Sequence, residues 1–186
     1  MNSSLPEPKL VIFDCDGTLV DTEVLHLEDM IHILRDYGTP PKMDELYVMC
    51  AGFTTRDSFR HFREKLGWNL PDNIDQIYRD YFMNSLLAAG DKIAVSGALQ
   101  IMQDVAHRYP VAVATNGEVN FTNIKLQSCG FLAALPDLKV YTKDLVEKPK
   151  PAPDLYLYVA NEFGVDPKDC WVVEDSVAGV TASVAA

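Results

Sequence analysis

Two aspartates close an apolar run near the start of the chain. In KLVIFDCDGTLVDTE (residues 9–23) the segment LVIF ends on Asp14 and Asp16, with Cys15 between them and Gly17 and Thr18 after them. Side chains of an extended segment repeat every second residue, so the two carboxylates face one edge. Like charges this close repel unless a cation or a proton intervenes. Glu174 and Asp175 follow a second apolar run, CWVV (170–173), and Thr115, Asn116 and Gly117 close a third, VAVAT (111–115). Lys148 and Lys150 stand in the proline-rich KPKPAP. If these loops meet, Asp14, Asp16 and Asp175 form an oxygen donor set suited to Mg²⁺, which keeps waters or substrate oxygens in its shell. A phosphate would bind through that metal, with Thr115, Asn116 and a lysine on its remaining oxygens. The spacing does not suit an EF-hand, because Gly17 stands fourth in DCDG rather than sixth. Lys148 reads as an ordinary solvated charge.

The elements that must position these residues are an alternation of strands and helices. LVIF, VAVAT and CWVV are short continuous apolar runs, the pattern of strands buried on both faces, and LKVY (138–141) is a weaker fourth. Helical patterns follow over 96–108, about 119–129, from near Pro153 to Gly164, and in AGVTASVAA at the C-terminus. Strand and helix in alternation predict an α/β fold, a three-layer Rossmann-like core around a parallel sheet. In such sheets ligands bind beyond the carboxyl ends of the strands, where strand order reverses. Residues 21–94 break the rhythm. They carry three helical patterns and no convincing strand: EVLHLEDMIHILRDYG, with Leu27, Met30, Ile31 and Leu34 on one stripe; TTRDSFRHFREKLG, opened by a Thr54–Asp57 capping pattern; and DNIDQIYRDYFMNSLLAAG. The expected organisation is core over 1–20, an inserted helical unit over 21–94, and core again over 95–186. The chain ends inside a helical pattern just after CWVV, so a truncated core lacking a C-terminal strand is expected, with CWVV as an edge.

The four loops together resemble the haloacid dehalogenase (HAD) superfamily of phosphohydrolases. FDCDGTLVDTE matches its first motif, VATNG its second, KPKPAPD its third with Lys150 on the motif lysine, and VVEDSVAGV its acidic fourth, in order along nearly the whole chain. The resemblance implies an Mg²⁺-dependent phosphatase. Asp14 would be the nucleophile that forms an aspartyl-phosphate, Asp16 the acid and then the base, and Lys150 the charge that neutralises Asp14 and the phosphoryl group. Asp14, the backbone carbonyl of Asp16 and Asp175 would hold the metal, with Glu174 supporting its shell. Thr115, Asn116 and Gly117 would bind phosphate. The helical unit would be the family's cap, and His26, one turn into it, is a further substrate-binding candidate. Asp16 separates this chain from dehalogenases and phosphonate hydrolases, which lack the second aspartate. Within the superfamily the chain looks most similar to sugar-phosphate phosphatases, 6-phosphogluconate phosphatase among them. β-Phosphoglucomutase shares all four motifs, but Thr55 stands where its cap arginine is expected, with Arg56 one later. A non-catalytic HAD-fold binding or regulatory protein is the remaining alternative.

Composition narrows the partners. The 186 residues carry a formal net charge of −11 and are 48% hydrophobic, enough apolar content for a folded core. Without a basic cluster, nucleic acid and anionic membranes are disfavoured. No apolar stretch approaches a membrane span, and the N-terminus does not read as a signal peptide. Cys15, Cys50, Cys129 and Cys170 show no CxxC spacing, which fits a reducing cytoplasm. The expected partner is a small phosphorylated metabolite, and a monomer is favoured.

Overall fold

The computed structural model describes residues 6–50 and 53–186. The fold is α/β around a four-stranded sheet whose strand pairs are all parallel. The strands are β1 (Leu10–Phe13), β2 (Val111–Thr115), β3 (Lys139–Thr142) and β4 (Cys170–Val173), in the spatial order β3-β2-β1-β4. The chain steps outward from β1 through β2 to β3 and then returns to the other side of β1. Strand order therefore reverses at β1, and a ligand crevice belongs at its carboxyl end.

The chain divides into two compact units, Thr22–Ala89 and the chain up to Asp21 joined with Gly90–Ala186. In the sheet unit, β1 is buried throughout, as a two-sided apolar run requires. Leu10 and Ile12 pack with Ala112, Ala114, Leu155, Tyr156, Val159 and Ala182 in one cluster. β4 is the edge strand that was expected, but its burial alternates: Cys170 and Val172 pack against the core, while Trp171 and Val173 on the other face are about two-fifths exposed (42% and 41%). The helices of the sheet unit are α5 (Ala98–Ala106), α6 (Val119–Ser128), the short α7 (Phe131–Ala134), α8 (Asp154–Glu162) and α9 (Val177–Ala185). Where the chain leaves this unit and returns to it, Val20 bridges Ala94 and the Asp21 N–H donates to the Ile93 carbonyl (2.7 Å).

The helical unit holds α1 (Glu23–Leu34), α2 (Met43–Cys50), α3 (Thr55–Leu66) and α4 (Ile74–Ala89). α3 starts and stops where the sequence predicts. Thr54 accepts from the Asp57 N–H (3.2 Å), and Gly67 closes the helix in the left-handed region at φ +68°. α2 is not visible in the sequence. It is eight residues long and buries only Leu46, so it has no apolar stripe to read. Among the described residues no helix is long and apolar enough to cross a membrane.

Candidate active site

The register of the sheet brings the acids together. Phe13 pairs with Val173, and the Asp14 N–H donates to the Val173 carbonyl (2.9 Å), so Asp14 and Glu174 leave neighbouring strands side by side. Asp14, Glu174 and Asp175 each present a carboxylate oxygen within 4.8 Å of the others. A cluster of acids with oxygen donors only is the chemistry that Mg²⁺ selects.

Lys150 closes the cluster from the loop before α8. Its buried ammonium donates to Asp14 Oδ1 (2.7 Å), Glu174 Oε1 (3.0 Å) and the Ala114 carbonyl (2.8 Å). An ammonium has three protons, and all three are placed. The Tyr156 ring lies 4.7 Å away as a further cation–π neighbour. Burial works to discharge Lys150, but the adjacent Asp14 carboxylate and its hydrogen bond hold the amine above the ordinary lysine range. Burial pushes the Asp14 carboxyl the other way, up to about 6, against the pull of Lys150. One buried lysine therefore leaves the acids short of positive charge, a further sign that the cluster suits a cation.

Two glycines let carboxylates come this close, and a third admits a threonine hydroxyl. At Gly17, with φ +85°, a Cβ would sit 2.1 Å from Asp175 Oδ2. At Gly179 it would sit 1.4 Å from Glu174 Oε1. At Gly117 it would meet Thr122 Oγ1 at 2.7 Å, Thr115 Oγ1 at 3.3 Å and Asp16 Oδ2 at 3.4 Å. Glu174 is fixed at the start of α9. It accepts from the Ser176 N–H (2.8 Å) and hydroxyl (3.2 Å), while the Ser176 Oγ accepts from the Gly179 N–H (3.0 Å) and caps the helix. The Thr18 hydroxyl donates to Asp175 Oδ1 (3.2 Å).

The second aspartate lives in a different environment. The Asp16 side chain is 40% exposed, and its Oδ1 accepts from Lys125 Nζ at 2.5 Å. Thr115 is buried, and its Oγ1 accepts from the Gly117 N–H (2.9 Å). Asn116 commits its side chain to the Lys150 backbone, donating to its carbonyl (2.9 Å) and accepting from its N–H (3.1 Å). That side chain therefore holds the lysine loop in place. Lys148 is exposed. His26 belongs to the helical unit, where Nδ1 pairs with the Tyr78 hydroxyl and the ring meets Tyr78 and Phe82 edge-on. Arg56 donates to Asp75 (2.9 Å); Ala51 and Gly52, which open AGFTTRDS, lie outside the described residues.

Sequence reasoning missed Lys125, Thr122 and Tyr156. Lys125 and Thr122 are buried on α6, one turn apart, with Leu126 beside them. VNFTNIKLQS has no clear apolar stripe, so nothing in it marks Lys125 as inward-facing, although a buried lysine is rarely without a partner.

A family model described as haloacid dehalogenase-like hydrolase matches residues 11–186. A Drosophila melanogaster protein named "Probable pseudouridine-5'-phosphatase" is 32% identical over 92% of the chain and 75% of its own length. The 6-phosphogluconate phosphatase of Escherichia coli (strain K12) is 26% identical over 94% of the chain and 77% of its own length. Among solved structures, a HAD family hydrolase from Deinococcus radiodurans R1 with bound phosphate and sodium superposes with a TM-score of 0.77. It is 25% identical and covers 95% of this chain and 76% of that one.

Proposed function

The chain belongs to the haloacid dehalogenase-like hydrolases and is a phosphoric monoester hydrolase, and on that premise we propose that it dephosphorylates a small sugar phosphate through an aspartyl-phosphate on Asp14. The observation that carries this reading is the contrast between its two aspartates. Asp14 is buried and pinned through one oxygen by Lys150, whereas Asp16 is partly exposed and paired with a different lysine. Carboxylates set in unlike environments can take unlike roles.

Asp14 attacks phosphorus through the oxygen not held by Lys150, and the ester P–O bond breaks. Asp16 gives its proton to the departing alkoxide. In the second step Asp16 accepts a proton from water as the water oxygen attacks phosphorus. The acyl-phosphate P–O bond breaks and the Asp14 carboxylate returns. Lys150 keeps its charge through both steps beside Asp14. The Thr115 hydroxyl, whose oxygen already accepts from the Gly117 N–H, and the Asn116 N–H hold phosphoryl oxygens. Asp14, Asp175 and the Asp16 carbonyl are the groups to hold Mg²⁺, with Glu174 behind them, and the ion when bound neutralises charge that develops on the transferring phosphoryl group. The helical unit, His26 included, is assigned to substrate selection.

Phosphate release from a panel of sugar phosphates, with Mg²⁺ and with a chelator, tests this reading. Metal-dependent release, with a hydroxylamine-sensitive phosphoryl group on Asp14, is expected. Absence of turnover on every ester by the folded protein with Mg²⁺ would overturn it. Conversion of β-glucose 1-phosphate and a bisphosphate primer to glucose 6-phosphate, without phosphate release, would show a mutase instead.

A further inference from the structure

We propose that Lys125 is a positioning residue that fixes which oxygen of Asp16 exchanges the proton; this rests on the reading of Asp16 as the acid and base. The Lys125 side chain is 8% exposed, and its ammonium reaches Asp16 Oδ1 at 2.5 Å from α6, 109 residues further along the chain. Confining a lysine this far costs desolvation and side-chain entropy, and a pairing with a surface acid does not by itself offset that cost. The pairing makes sense as orientation. A short aspartate in a loop, 40% exposed, otherwise has free rotation about its terminal torsion. With Oδ1 held, Oδ2 becomes the oxygen that carries the proton. Oδ2 is also the oxygen that faces the bare Cα of Gly117, beside Thr115.

The rest of α6 is built around the same contact. Gly117 has no Cβ, and that absence lets α6 come close enough for Thr122 Oγ1 to stand 2.7 Å from where the Cβ would be. Lys125 lies one turn further along the same buried face. The Thr122 hydroxyl is fully buried and has no hydrogen-bond partner there. The helix brings its lysine to Asp16 on the same face that packs against the bare Gly117 backbone. Lys125 donates to Oδ1 whether Oδ2 is protonated or not, so the contact persists through both steps of the cycle.

The leaving group tests the proposal. p-Nitrophenolate departs without help from an acid, whereas the alkoxide of glycerol 2-phosphate needs a proton. For K125M, kcat/KM on glycerol 2-phosphate should fall about 10- to 100-fold, a substantial share of what general-acid catalysis supplies. On p-nitrophenyl phosphate it should fall less than about 3-fold, within the same principle. kcat/KM reports the first phosphoryl transfer only, so the later hydrolysis of the intermediate does not blur the ratio. K125Q, which keeps a donor on a shorter stem, should lie between K125M and the parent, and it supplies the comparison if K125M fails to fold. In a D16N background K125M should cost nothing further on either ester. Equal losses on the two esters, or no loss on either, would overturn the proposal while leaving the hydrolase reading intact. D16N losing equally on both esters would overturn the role of Asp16 itself.

Discussion

Among the described residues, the sheet unit buries Asp14, Thr115, Thr122, Lys125, Thr142 and Lys150, whereas the helical unit buries only Asp29 and Ser58 among its polar groups. The interior of the helical unit is instead Leu27, Met30, Ile33, Leu34, Leu46, Phe59, Phe62, Leu70, Ile74, Tyr78, Phe82 and Leu86. Its aromatic rings meet edge-on or stacked, as at Phe59–Phe62 and Tyr78–Phe82. Both units hold together by apolar burial, which tolerates exchange of residues of similar size, and the helical unit has little else inside it. The sheet unit also carries buried charges at one sheet end, where each charge is tolerable only while its partner is present. Function that needs an ionised nucleophile and a fixed cation belongs in the second kind of interior, and its substitutions should be the most damaging.

The sharpest break in this comparison is Lys150→Met. Without the ammonium, Asp14 and Glu174 stand buried side by side and the Ala114 carbonyl loses its donor. Stripping one partner from a buried ion pair costs about 3–5 kcal/mol. Chemical denaturation should show that loss in the chelator-treated protein, and turnover should fall below detection. A variant as stable as the parent would mean that the acids take up protons and that the lysine serves only the reaction.

Asp14→Asn should separate stability from activity. In the folded, metal-free protein burial holds the Asp14 proton up to about 6, above its value in the unfolded chain. Folding therefore loses this group's contribution as the pH rises from about 4 through 6, by up to about 3 kcal/mol for a shift of about two units. The asparagine variant has no such loss. Its stability relative to the parent should climb across that window and then level off, while its turnover is abolished. Mg²⁺ should cancel the difference by stabilising the parent carboxylate. The same shift predicts an acid limb near pH 6 in kcat/KM at low Mg²⁺, moving to lower pH as Mg²⁺ is raised. A stability difference that is flat with pH would sink the assignment of a raised Asp14.

The same contrast explains what could be read without coordinates. Asp14, Asp16, Lys150 and the Glu174–Asp175 pair were legible because their types follow buried strands at fixed offsets, and the chemistry admits few substitutes. β1 and β2 were legible because two-sided burial leaves uninterrupted apolar runs. β4 read as an edge strand, which it is, but also as buried on both faces, because Trp171 and Val173 are as apolar as an interior strand although their face is half exposed. Asn116 read as a phosphate ligand because nothing local reveals that its side chain is committed to Lys150, 34 residues away. Lys125 went unread for a related reason. Its partner is 109 residues distant, and a single lysine within VNFTNIKLQS looks like an ordinary helix-surface charge.

Gly117→Ala tests the tight approach of α6 with a smaller change. The added methyl would stand 2.7 Å from Thr122 Oγ1, so the Thr122 side chain, the helix or the loop must move. Overpacking of this kind costs about 1–3 kcal/mol. Because α6 carries Lys125, the variant should also lose more on glycerol 2-phosphate than on p-nitrophenyl phosphate. Wild-type stability in Gly117→Ala would show that the contact relaxes without moving the helix.

Thr54→Ala is the smallest change, and it marks the other side of the comparison. Thr54 caps α3 by accepting from the Asp57 N–H (3.2 Å) and donating to Asp57 Oδ2 (2.7 Å). Asp57 also pairs with Arg60 on the next turn. Losing a threonine cap costs about 1 kcal/mol, because one N–H at the helix start returns to water rather than to a side chain. The position is exposed, so no buried charge is stranded and nothing larger should follow. A fall of a few degrees in thermal midpoint with unchanged kcat on p-nitrophenyl phosphate is expected. A catalytic defect on that small ester, at temperatures where the variant is folded, would mean that the helical unit acts on the chemistry itself. The division between a unit that packs and a unit that reacts would then be too simple.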